Sequence, residues 1–144
     1  EKSRMIKLAN EAVRKTSKVG SKLEKYILDF LLNSGLKVDF HKEQILSNTK
    51  LQIDLYLPTM GVAIEVDGPS HFLPVWGDEA LQKNISYDQK KQGLILGRGL
   101  KLIRIKQTRD FSKTRAQQIC EQLLIILDTI SKNTNQTNFL IEDK

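Results

Sequence analysis

The stretch Leu51-Gln-Ile-Asp-Leu-Tyr-Leu-Pro-Thr-Met-Gly-Val-Ala-Ile-Glu-Val-Asp-Gly-Pro-Ser-His71 decides the fold. In its first run the apolar Leu51, Ile53, Leu55 and Leu57 alternate with Gln52, Asp54 and Tyr56. In its second, Val62, Ile64 and Val66 alternate with Ala63, Glu65 and Asp67. Period-two alternation of this length predicts two strands, each with one apolar and one polar face. Pro58-Thr-Met-Gly61 supplies turn chemistry, a fixed φ followed by a residue tolerant of positive φ. The simplest antiparallel register then pairs Leu57 with Val62, and hence Asp54 with Glu65. Directly opposed residues have Cβ atoms about 5 Å apart, where like charges destabilise. A divalent cation removes that cost, and oxygen ligands on adjacent strands suit Mg2+ or Mn2+, completed by water and substrate phosphate. His71 ends the stretch, past a Gly-Pro turn that can point it back at the two acids.

Working outward, residues 1–20 are rich in lysine and arginine around a loose apolar stripe of Met5, Ile6, Leu8, Ala9, Ala12 and Val13, which predicts a basic helix or arm. Ser21-Lys-Leu-Glu24 carries the Ser-x-x-Glu capping pattern and opens a helix with Leu23, Tyr26, Ile27, Phe30 and Leu31 on one side, stopped at Ser34-Gly35. Leu36 to Phe40 reads as a first strand, leading through residues 41–46 and the turn-forming Ser47-Asn48 into the hairpin. Beyond His71, Pro74, Trp76 and Gly77 read as a loop. Asn84 to Leu96 reads as a helix, Leu100 to Lys106 as a strand, and Thr114 to Ser131 as a closing helix with Ile119, Leu123, Ile126, Leu127 and Ile130 inward. This order predicts an α/β fold, a mixed central β-sheet flanked by helices. The expected division is a basic arm over 1–20, a catalytic domain over 21–131 and a polar C-terminal tail over 132–144.

The chain's 144 residues and 16.5 kDa suit one domain with a single core. A net charge of +6 and a pI near 9.4 fit a polyanionic partner. The single cysteine, Cys120, excludes an internal disulfide and suits packing in a reducing compartment. No apolar run approaches the roughly 20 residues that cross a bilayer, so the expectation is a soluble intracellular protein with no membrane partner. The first residue, Glu1, is consistent with a domain trimmed from a longer protein.

The pattern Ile53-Asp-Leu-Tyr-Leu-Pro58, then Ala63-Ile-Glu-Val-Asp-Gly-Pro-Ser-His71, then Asp88 followed by lysines, then Gly99-Leu-Lys-Leu-Ile-Arg-Ile, resembles the PD-(D/E)XK nuclease superfamily. It is most similar to the branch of very short patch repair endonucleases and the phage homing endonucleases with an E-D-x-H-D pattern. The resemblance implies a restriction-endonuclease-like fold and a Mg2+-dependent, or Mn2+-dependent, DNA endonuclease in a bacterial or phage setting. It also implies five catalytic positions, Glu24, Asp54, Glu65, His71 and Asp88, with Asp54 and Glu65 on the metal and His71 moving a proton. A homodimer is compatible with it. Where the superfamily usually has a lysine this chain has Asp67, so His71, Lys90 or Lys91 would have to take that part, with Asp67 supporting the ligands. Lys15, Lys18, Trp76, Lys101, Arg104 and Lys106 are the candidate nucleic-acid contacts. Glu-Val-Asp-Gly-Pro-Ser-His-Phe is also similar to RAP domains, which implies the alternative of an organellar RNA-binding module with little or no catalysis.

Overall fold

A computed structural model describes residues 21–46, 49–68 and 77–143. Three helices, α1 (Lys22–Asn33), α2 (Asp78–Gly97) and α3 (Lys113–Ser131), flank five strands, β1 (Asp39–Leu46), β2 (Thr49–Leu57), β3 (Val62–Asp67), β4 (Lys101–Lys106) and β5 (Asn138–Glu142). The strands form one mixed sheet in the order β1-β2-β3-β4-β5, in which β1–β2 and β2–β3 pair antiparallel and β3–β4 and β4–β5 pair parallel. This is the expected α/β architecture, and it is compatible with a restriction-endonuclease-like fold.

Local chemistry accounts for the element ends. Ser21 caps α1, its hydroxyl accepting from the Glu24 amide at 3.2 Å, and Glu24 Oε1 reaches back to complete the capping box. The helix stops in a Schellman turn, with Leu36 N–H on the Leu31 carbonyl at 3.1 Å and Gly35 N–H on that of Leu32 at 3.0 Å. That turn needs the left-handed φ of 85° at Gly35. At the hairpin, Gly61 (φ 67°) donates to the Leu57 carbonyl at 2.9 Å and delivers the expected Leu57–Val62 pairing.

Several boundaries differ from the sequence reading. The first strand is not Leu36 to Phe40 but Asp39–Leu46, because the Schellman turn holds Leu36 at the helix end. Helix α2 begins at Asp78, six residues before the expected start at Asn84; its first turns are mostly exposed and so carry no apolar stripe to read. The expected polar tail over 132–144 contains β5, whose Phe139 and Ile141 are buried while Asn138, Leu140 and Glu142 are exposed. Five residues of alternation inside a polar surround give a weak signal, and pairing with β4 supplies the rest. The basic arm over 1–20 and the Ser47-Asn48 turn lie outside the described residues.

Helices cover both faces of the sheet, and the expected polar face of β3 is buried along with the apolar one. On one face α1 and α3 bury Leu23, Ile27, Leu31, Ile119 and Leu123 against Leu55, Leu57, Ile64, Ile103 and Ile105. Cys120 packs there, and burial raises its thiol pKa to about 11, which keeps it protonated and inert. On the other face α2 closes a small cluster of Leu51, Ile53, Ala63, Ile95 and Leu102. The alternation of β2 therefore changes face at Asp54, with Ile53 under α2 and Leu55 under α1 and α3.

Candidate functional site

The change of face at Asp54 coincides with a distortion of the neighbouring strand. Phe40 pairs with Leu55 and Lys42 with Ile53, which sets His41 alongside Asp54. His41 has a left-handed φ of 50° in the middle of a strand, yet the register is the same on both sides of it. A non-glycine residue held this way costs on the order of 1–3 kcal/mol and persists only where its surroundings enforce it. Gln52 helps to enforce it, donating from Nε2 to the His41 carbonyl at 2.9 Å.

The effect is to turn the imidazole between two acids. Nε2 contacts Glu24 Oε2 and Nδ1 lies 3.8 Å from Asp54 Oδ1. Glu24 thus divides its oxygens, Oε1 serving the helix cap and Oε2 facing His41. Asp54 does likewise, its Oδ2 accepting the Val66 amide at 2.9 Å. One ligand atom from each of Glu24, His41 and Asp54 lies within 4.8 Å of the others, a spacing a single cation could bridge.

Glu65 completes the acidic wall. Its pKa is raised to about 9, first by burial and then by Asp54, with Lys91 opposing. Lys91 Nζ stands 2.5 Å from Glu65 Oε1. Burial works to lower the Lys91 pKa, but Glu65 and Asp54 together hold it above the usual lysine value. Glu24 is raised as well, by burial and by Asp54, against the lowering influence of His41. Three carboxyl groups thus crowd one another in a largely buried site. Such a cluster favours holding either protons or a cation. The oxygen-rich donor set with one imidazole fits Mg2+ and, more comfortably, Mn2+.

These groups line a cavity of about 380 Å3 together with Asp67, Asn84, Tyr87, Asp88, Gln92 and Arg104. Its α2 wall is one helical face, since residues 84, 87, 88, 91, 92 and 95 recur at spacings of three and four. The structure therefore brings together four of the five expected catalytic residues, Glu24, Asp54, Glu65 and Asp88, while His71 lies outside the described residues. Among the described residues the group spaced so that it could hold a cation is Glu24, His41 and Asp54 rather than the expected Asp54–Glu65 pair, and Glu65 lies against Lys91. Of the two candidate lysines, Lys91 reaches the site and Lys90 is exposed away from it.

His41 escaped the sequence reading. Its signal was the β1–β2 register, which sets it beside Asp54 only once the strand is known to run through residues 41–46. Asp67 is buried against Arg104, whose Nε and Nη2 donate to Oδ2 at 2.9 and 2.6 Å. Of the expected nucleic-acid contacts that fall among the described residues, Arg104 lines the cavity, and Lys101 and Lys106 do not. Lys101 donates to the Thr134 carbonyl at 3.0 Å, Lys106 pairs with Asp67 in the strand register, and Lys15, Lys18 and Trp76 lie outside the described residues.

No protein-family model matches the chain, and no curated protein matches it. Among the described residues no helix is long and apolar enough to cross a membrane.

Proposed function

We propose that the chain is a metal-dependent endonuclease that hydrolyses phosphodiester bonds in DNA, the catalytic domain of an enzyme of the homing or very short patch repair kind. The observation that carries this reading is the convergence of Glu24, His41 and Asp54 within 4.8 Å beside the Glu65–Lys91 pair, in one cavity. The cavity lies in the size range of small-ligand sites, about 300–1,000 Å3, and the net charge of +6 suits a polyanion.

Glu24, His41 and Asp54 would hold the ion, which supplies charge neutralisation at a phosphate and a more acidic water. Glu24 and Asp54 are fixed for that task by the bonds their other oxygens make to the helix cap and the Val66 amide. Lys91 stands against Glu65 and presents a cation where a water or phosphate oxygen would approach, the part left open by Asp67 on β3. His71 keeps the proton-transfer role expected of it, distinct from the ligand role of His41.

The test is incubation of supercoiled plasmid and of structured RNA with the protein in Mg2+, Mn2+ or chelator. Wild type should cut DNA only with metal, and a folded Asp54→Ala variant should not cut at all. A wild type that binds nucleic acid with steep salt dependence yet cuts neither substrate under any divalent metal would favour the RAP-like binding module instead.

A further inference from the structure

The Asp67–Arg104 pair is asymmetric in its burial. Asp67 is 7% exposed at its side chain and Arg104 32%, so the acid is walled in while the guanidinium opens to the cavity. Arg104 donates through Nε and Nη2 to a single oxygen, Oδ2. A fork-on-fork pair would use both carboxylate oxygens, with two parallel bonds. The one-oxygen contact leaves the Nη1 donors, and one on Nη2, without a partner among the described residues. A guanidinium carries five donors in a fixed fork, and that geometry matches phosphate. In the β3–β4 register Arg104 pairs with Glu65, on the same sheet face and one strand over from the acidic wall. It also borders an adjoining cavity of about 210 Å3 lined by Ile85, Asp88, Gln89 and Gln92. Arg104 thus stands where the carboxylate cavity continues into a polar groove.

We propose that Arg104 is a phosphate-binding residue of the cavity, aimed by the buried Asp67, and that it grips a phosphate of the substrate strand as that strand leaves the acidic cluster. The ligand's identity rests on the phosphodiesterase reading, which this assignment deepens. Asp67 is the positioning residue: it fixes the plane of the fork from below and leaves the outer edge for the ligand. The cation of this pair also limits the field of Glu24, Asp54 and Glu65, which would otherwise repel a phosphate.

The test is an NMR titration of thymidine 5′-monophosphate into the full chain in Ca2+, which reads binding apart from plasmid cleavage. Wild type should show saturable shifts that include the Arg104 Nε–H signal. Arg104→Ala would strand a buried carboxylate and is a poor probe. Arg104→Lys keeps the charge without the fork, and Arg104→Gln combined with Asp67→Asn removes both charges together. Each should weaken the nucleotide by roughly tenfold or more, the scale of losing a hydrogen bond to a charged group. Asp67→Asn alone should raise KM for an oligonucleotide more than it lowers kcat. Equal affinities in wild type and both variants, or no saturable binding by wild type, would overturn the assignment. Binding that the variants lose, in a protein that never cuts plasmid, would uphold the phosphate site and remove hydrolysis.

Discussion

The two faces of the sheet divide the work of the molecule. Under α1 and α3 the contacts are apolar and continuous from Leu23 to Ile141. Under α2 a few aliphatic residues share the space with Glu65, Asp67, Lys91 and Arg104. Burying apolar surface stabilises a fold in rough proportion to its area, whereas burying charge costs free energy unless it is paired. The first face therefore carries stability, and the second gives up part of that gain to hold charges away from water. Glu24 links them, because it lies on α1 among the apolar residues and sends one oxygen through to His41. A change on the first face should lower stability and spare metal affinity; a change on the second should act on the site, and where it removes a buried charge it should raise stability.

Leu123→Ala breaks the comparison from the apolar side. Leu123 is fully buried between α3 and the sheet, so its truncation should cost about 2–5 kcal/mol. Thermal denaturation should show a Tm lower by about ten degrees, while the folded variant still binds Mn2+ as wild type does. His71→Ala, at the residue proposed to move a proton rather than to hold the ion, should slow cleavage by roughly a hundredfold without changing metal affinity. Single-turnover kinetics over a metal titration separates those two effects.

Glu65→Gln sharpens the contrast through pH. The Glu65 pKa is raised from 4.5 to about 9, so in metal-free protein its stabilising contribution is complete below about 4.5 and is lost as pH rises through about 9. In chelator at pH 8 the variant should therefore melt higher than wild type, and its stability should vary less across that window. A melting curve for the variant that falls with pH as steeply as wild type's would remove Glu65 as the cause. Ser21→Ala should have the smallest effect, about 1 kcal/mol for a lost cap. Because the cap also holds Glu24 Oε1, Mn2+ affinity should fall modestly in the same variant, and calorimetry can read both.

The capping box at Ser21 and the Leu57–Val62 register were legible because short-range chemistry fixes both, a side chain reaching three residues along a helix and a turn of fixed composition. Asp54 and Glu65 followed from that register, whereas Asp88 was singled out only through the family resemblance and lies on the α2 face that lines the cavity. His41 was not legible, since its place depends on a strand pairing across a turn and on a left-handed backbone that no local pattern announces. The change of face at Asp54 escaped for a related reason: Leu51, Ile53, Leu55 and Leu57 alternate perfectly in sequence, yet they divide between two cores once the strand distorts. Lys91 could be narrowed only to a pair with Lys90, because the turn of α2 that faces the sheet is set by tertiary packing.

Glu24, His41 and Asp54 are proposed to hold a cation on the charged face of the sheet. Isothermal titration of Mn2+ into wild type and into His41→Ala tests that proposal most directly. Wild type should bind one ion per chain, and the variant should lose affinity by roughly tenfold or more with the folded state retained. Equal affinities in the two proteins, or no binding to either, would contradict it.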